Sequence, residues 1–80
     1  MSVVSGVILV SCDGKSCKDV IKRSKSEISG VTNAFIVDKK TSDDPGVVIN
    51  LDTVSEDNFM KAAKILLEIG GVQKVNYKIT

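Results

Sequence analysis

Val3-Val4-Ser5-Gly6-Val7-Ile8-Leu9-Val10-Ser11-Cys12 is the stretch from which the fold is read. Its β-branched residues favour an extended chain. On a pleated strand, Ile8, Val10 and Cys12 point one way and Val7 and Leu9 the other. Apolar residues on both sides predict a strand inside a sheet, with cover on at least part of each face. Cys12-Asp13-Gly14-Lys15 then breaks it.

The segments outward from this strand alternate in period. Ser16 is placed as a helix N-cap, with Asp19 in the capping-box position. Cys17, Val20, Ile21, Ser24 and Ile28 share one helical face. Gly30 suits the left-handed residue after a helix. A second strand is expected over residues 32–38. A polar loop over 39–45 ends in the turn chemistry of Asp43-Asp44-Pro45-Gly46. A third strand runs over 47–51, with Val47, Ile49 and Leu51 on one side. Ser55 caps a second helix, Val54 and Phe59 stand at hydrophobic-staple positions, and Glu56 and Asp57 suit the first turn. Phe59, Ala62, Ala63, Leu66 and Ile69 form its apolar stripe, and Gly70-Gly71 ends it. In the last strand Val75, Tyr77 and Ile79 alternate with Lys74, Asn76 and Lys78.

The order is strand–helix–strand–strand–helix–strand, and both helices close on similar phrases, Ile28-Ser29-Gly30-Val31 and Ile69-Gly70-Gly71-Val72. Right-handed crossovers turn that order into an α+β, ferredoxin-like βαββαβ sandwich. Its antiparallel sheet carries both helices on one face. The 80 residues are read as a single domain, 1–80. A chain of this size buries only about 60% of the surface exposed when unfolded, so the core is thin. One set of apolar side chains from the first strand is left on the uncovered face, where Val7, Leu9 and Val48, with Phe35 or Ile36, form a candidate interface. Two such faces can stack, which predicts a homodimer.

Composition narrows the function. Eleven basic and ten acidic residues give a net charge of +1, so no strong field draws in nucleic acid. Phe35, Phe59 and Tyr77 are the only aromatics, too few for base-stacking platforms. There is no histidine, which removes Ser-His and Cys-His nucleophiles. No stretch approaches the ~18 apolar residues of a membrane span, and the apolar segment 3–10 lacks the flanks of a signal peptide. The expectation is a cytoplasmic protein that is not an enzyme, has no cofactor and does not contact a membrane.

The loop end of the sandwich gathers the end of the first strand, the start of the first helix, the loop over 39–45 and the Gly70-Gly71 turn. A small-ligand site is expected there, on Gly14, Lys15, Ser16, Lys39 and Lys40, because such an end offers free backbone N–H groups. Gly14-Lys15-Ser16 matches the end of a phosphate loop, but Leu9 stands where the earlier glycine is needed, so nucleotide hydrolysis is not supported. Cys12 and Cys17 are the only soft ligands. The pair is expected to be reduced, whether metal-binding, redox-active or inert as two small apolar residues packed at the strand end and under the helix. Lys18, Lys22 and Lys25, with Arg23, form a basic stripe that fits an acidic partner or a solvated helix face. Asp43 and Asp44 suit a hard cation or plain solvation.

Three families resemble this chain. Val7-Ile8-Leu9-Val10, the helix ending at Gly30-Val31, the strand pair around Val37 and 47–51, and Ile69-Gly70-Gly71-Val72 resemble the effector-binding (RAM/ACT-like) domain of the leucine-responsive regulatory protein (Lrp/AsnC) family. That resemblance implies a dimer formed through the sheet and a small molecule, such as an amino acid, held between subunits. It implies no sequence-specific DNA reading without the helix-turn-helix half. Where the family carries a Gly-acidic-aromatic-Asp phrase, this chain reads Lys39-Lys40-Thr41-Ser42-Asp43-Asp44-Pro45-Gly46. Gly46-Val47-Val48-Ile49, with Gly71-Val72 and Val75-Tyr77, is similar to the maturation chaperones of periplasmic nitrate reductase, which implies a twin-arginine signal peptide bound on the sheet. The position of Cys12 and Cys17 resembles the loop of heavy-metal-associated domains, which implies a soft-metal carrier. Those domains place two residues between the cysteines; here Asp13-Gly14-Lys15-Ser16 intervenes.

Overall fold

A computed structural model describes residues 2–38, 40–41 and 44–80. Its elements are β1 (Val4–Ser11), α1 (Lys15–Glu27), β2 (Val31–Ile36), β3 (Val47–Val54), α2 (Glu56–Leu67) and β4 (Lys74–Ile79). The strands form one sheet in the order β2-β3-β1-β4, and every neighbouring pair is antiparallel. This is the expected ferredoxin-like arrangement, with the residue 3–12 stretch at its centre. α1 packs over β2 and β3, and α2 over β1 and β4.

The pleat decides which side chains enter the core. Ile8, Val10, Val47, Ile49 and Leu51 are buried beneath the helices, together with Val20, Phe59, Ala62 and Leu66. Cys12 continues the inward set past the end of β1 and is fully buried. Ser24, a polar residue on the inner face of α1, donates its hydroxyl to the Ile21 carbonyl at 2.8 Å. That back-bond satisfies a hydroxyl that would otherwise be buried unpaired. Phe59 fills the space under α2, and its ring centroid lies 5.6 Å from that of Tyr77.

Two local readings change. α1 begins at Lys15 with Gly14 as its N-cap, not at Ser16. Gly14 adopts φ +50°, so the turn tightens before the serine is reached. Ser16 is instead buried inside the first turn, donating to the Asp13 carbonyl at 2.6 Å. It packs beneath Gly71, where a Cβ would lie 2.7 Å from the Ser16 Cβ. β3 also runs past Leu51 to Val54. Val4 pairs with Val54 but Gly6 with Leu51, so Asp52 and Thr53 stand opposite Ser5 alone. That is a β-bulge, with Thr53 at φ +57°. The extra residue interrupts the alternation, so Asp52 and Thr53 are both exposed before Val54 is buried again.

Both ends of β4 are tied to β1. The Gln73 N–H donates to the Ser11 carbonyl at 2.8 Å, and the Thr80 N–H to the Ser5 carbonyl at 2.9 Å. None of the helices among the described residues is long and apolar enough to cross a membrane.

Candidate functional site

Two surfaces carry the functional expectations. The first is the loop end. There β1 ends, α1 starts, and β3 is entered through Gly46, whose N–H donates to the Val10 carbonyl at 2.8 Å. A cleft of about 400 Å³ opens between these elements, lined by Cys12, Asp13, Gly14, Lys15, Cys17, Lys18, Ile36, Val37 and Gly46. Its lining is mostly apolar, and Lys15 and Lys18, both exposed on the first turn of α1, belong to it.

Of the expected ligand residues, Gly14 and Lys15 line this cleft. Ser16 is turned away from it, toward Asp13 and Gly71. Lys40 is exposed and does not reach the cleft wall; its N–H donates to the Asp44 carboxylate at 2.9 Å. Lys39 lies outside the described residues, as does Asp43. Asp44 also accepts the Thr41 N–H at 3.1 Å, so its carboxylate closes a turn. Lys18, Ile36, Val37 and Gly46 were not among the expected residues. The Pro45-Gly46 turn was the available signal for Gly46, whereas nothing in local periodicity brings Ile36 and Val37 to the start of α1.

The cysteines depart from expectation. Cys12 and Cys17 are joined as a disulfide across a Cα–Cα distance of 5.3 Å, where a reduced pair was expected. The turn through Gly14 brings the strand end and the first helical turn within bonding reach. Linked in this way, the two sulfurs offer no thiolate pair to a soft metal. Among the described residues no group of three or more Cys, Asp or Glu side chains is placed to hold an ion.

The second surface is the sheet face opposite the helices. Register places Phe35, Val48, Leu9 and Asn76 in one row across all four strands. Asn33, Asn50, Val7 and Lys78 form the next row. Val7, Leu9 and Val48 are half-buried, and Phe35 is 39% exposed. All of the expected interface residues therefore share this face, and Phe35 completes the row. Ile36 does not join them, since it pairs with Val47 on the helix side.

No known protein family profile matches this chain. No curated protein matches it either. Solved structures do match in fold. AsnC of Escherichia coli is one of them. This chain is 21% identical to AsnC, with a TM-score of 0.57 over 96% of this chain and 50% of that one. A transcriptional regulator of Neisseria meningitidis, NMB0573, solved in complex with L-Met, is 16% identical, with a TM-score of 0.65 over 96% of this chain and 49% of that one. AsnC and NMB0573 are regulators of the Lrp/AsnC family. TTHA0845 of Thermus thermophilus is 12% identical, with a TM-score of 0.74 over 96% of this chain and 91% of that one. At these identities the shared property is the fold. The chain corresponds to about half of AsnC and of NMB0573.

Proposed function

We propose that this chain is a regulatory, ligand-binding module that pairs with a second copy of itself through the uncovered sheet face. The observation that carries the reading is the row of Phe35, Val48 and Leu9, an apolar band crossing three adjacent strands with no helix over it. A band of this kind is stabilised when water is excluded from it. The flanking Asn33, Asn50 and Asn76 supply amide donors and acceptors for a polar rim. Further support comes from the shared fold with AsnC and with a regulator solved with L-Met bound.

The small molecule is expected at the loop end or where it meets the subunit boundary. Gly14 and Lys15 are the contacts of this chain, and Lys18 joins them. A lysine at the start of α1 is unfavourable to the helix dipole, whereas α2 carries Glu56 and Asp57 at the equivalent place. Positions that break a local rule are more often kept for binding than for stability. A carboxylate-bearing metabolite, with amino acids as the first class to test, fits two lysines in a mostly apolar lining.

Light scattering with thermal melts in the presence of individual L-amino acids tests this reading. The expected result is a homodimer whose melting temperature rises with at least one of them. A monomer that no amino acid stabilises would overturn it. If a twin-arginine signal peptide shifted the resonances of Leu9 and Val48 while the chain stayed monomeric, the face would belong to a peptide-binding chaperone.

A further inference from the structure

We propose that the Cys12–Cys17 disulfide is a reversible redox site, opened from the cleft by a dithiol reductant that attacks the Cys17 sulfur and leaves a reactive Cys17 thiol in the cleft. The proposal goes beyond the ligand-binding reading and stands or falls separately from it.

Placement is the first argument. The bond spans a sequence separation of 5, so it constrains little of the chain beyond one turn. A cross-link that stabilises mainly through the unfolded state gains more from a longer loop. This one lies instead in the wall of a cleft about 400 Å³ in volume. Both residues line that cleft, Cys12 at 0% exposure at the end of the inward face of β1 and Cys17 at 4% in the first turn of α1. Once the bond is open, Cys17 stands in the first turn of α1 between Lys15 and Lys18, and a helix start flanked by cations favours the anionic, reactive form of the freed sulfur.

The second argument is directional. A Cβ on Gly46 would lie 2.8 Å from the Cys17 Sγ and 3.1 Å from the Cys12 Sγ, so the pair rests against the backbone of residue 46. That backbone is pinned, with its N–H on the Val10 carbonyl at 2.8 Å and its carbonyl accepting the Val37 N–H at 3.0 Å. Bonded sulfurs lie about 2.05 Å apart, whereas non-bonded heavy atoms need about 3.5–4.0 Å. Reduction therefore pushes the sulfurs apart by roughly 1.5 Å. Gly46 itself lines the cleft, so the pair lies where the cleft meets the turn into β3, and the cleft is the space open to a sulfur.

The chemistry balances. One thiolate of the reductant bonds to the Cys17 sulfur as the sulfur–sulfur bond to Cys12 breaks. Cys12 leaves as a thiolate and takes up a proton. The second thiolate of the reductant then attacks its own partner in the mixed disulfide and releases Cys17. Two electrons and two protons reach the protein, and the reductant leaves as a disulfide.

The test counts thiols in the folded full chain with a maleimide, followed by mass spectrometry. The untreated protein should take no label, and dithiothreitol without denaturant should expose both cysteines. In Cys12→Ser the remaining Cys17 should react about tenfold or more faster than Cys12 does in Cys17→Ser. Where a variant fails to fold, brief labelling of the reduced wild type followed by peptide mapping identifies which cysteine reacts first. Reduction only in denaturant, faster or equal labelling of Cys12, or two thiols that stay unlinked with oxidised glutathione would each overturn the proposal.

Discussion

Thr53 holds φ +57° in the bulge of β3, although its branched side chain disfavours that region. It is exposed, so its side chain contributes little packing. A left-handed L-residue costs about 1–2 kcal/mol, and glycine's extra unfolded-state freedom takes back about 0.5–1 kcal/mol. Thr53→Gly should therefore stabilise the fold by roughly 0.5–1 kcal/mol, read as a higher urea midpoint with an unchanged slope. Phe59 is the opposite case, fully buried at the centre of the core. Phe59→Ala should cost about 3–5 kcal/mol, much of the margin of a small domain, and the urea midpoint measures it. Phe59 was legible as a core residue from its place in the stripe of α2. Thr53 was not legible, because the bulge arises from the register between β1 and β3 and has no local signature.

At the level of elements, α1 and α2 are built on different terms. α2 has acidic residues in its first turn and α1 has none. Lys15→Glu should raise stability by about 0.3–1 kcal/mol in low salt while abolishing stabilisation by an anionic metabolite. Paired thermal melts with and without the metabolite check both halves, and a variant that loses stability while keeping the ligand response would refute the role given to Lys15. Element order and type were readable because β1 is a continuous β-branched apolar run and β3 and α2 carry clear periods. The start of α1 was misplaced because Ser16 has capping chemistry but is used to pack under Gly71, a contact between residues far apart in sequence. Lys18 and Gly46 were missed for the same reason, since the cleft is assembled from three separate segments.

The whole molecule presents one helix-covered face and one uncovered face. The uncovered face was legible once β1 was read as apolar on both sides, and the register confirms that Val7, Leu9 and Val48 share it. Leu9→Asp should give a monomer by light scattering with an unchanged far-ultraviolet spectrum. A variant that remains dimeric would place the interface elsewhere. With a bound ligand at about 100 times its Kd, the stabilisation is about 2.7 kcal/mol. In a domain of this size each kcal/mol moves Tm by about 4–8 °C, so a true ligand should shift it by more than about 10 °C.

The hydrogen bond from Thr80 to Ser5 sets the outer end of β4 beside the outer end of β1. A short glycine-serine bridge spans such a gap, since flexible linkers reach about 5–6 Å times the square root of their length. The arrangement of β1 and β4 therefore lends itself to circular permutation. The chain is equally suited to insertion as a cassette in a host loop, where it would enter and leave at nearly the same point and perturb its host little.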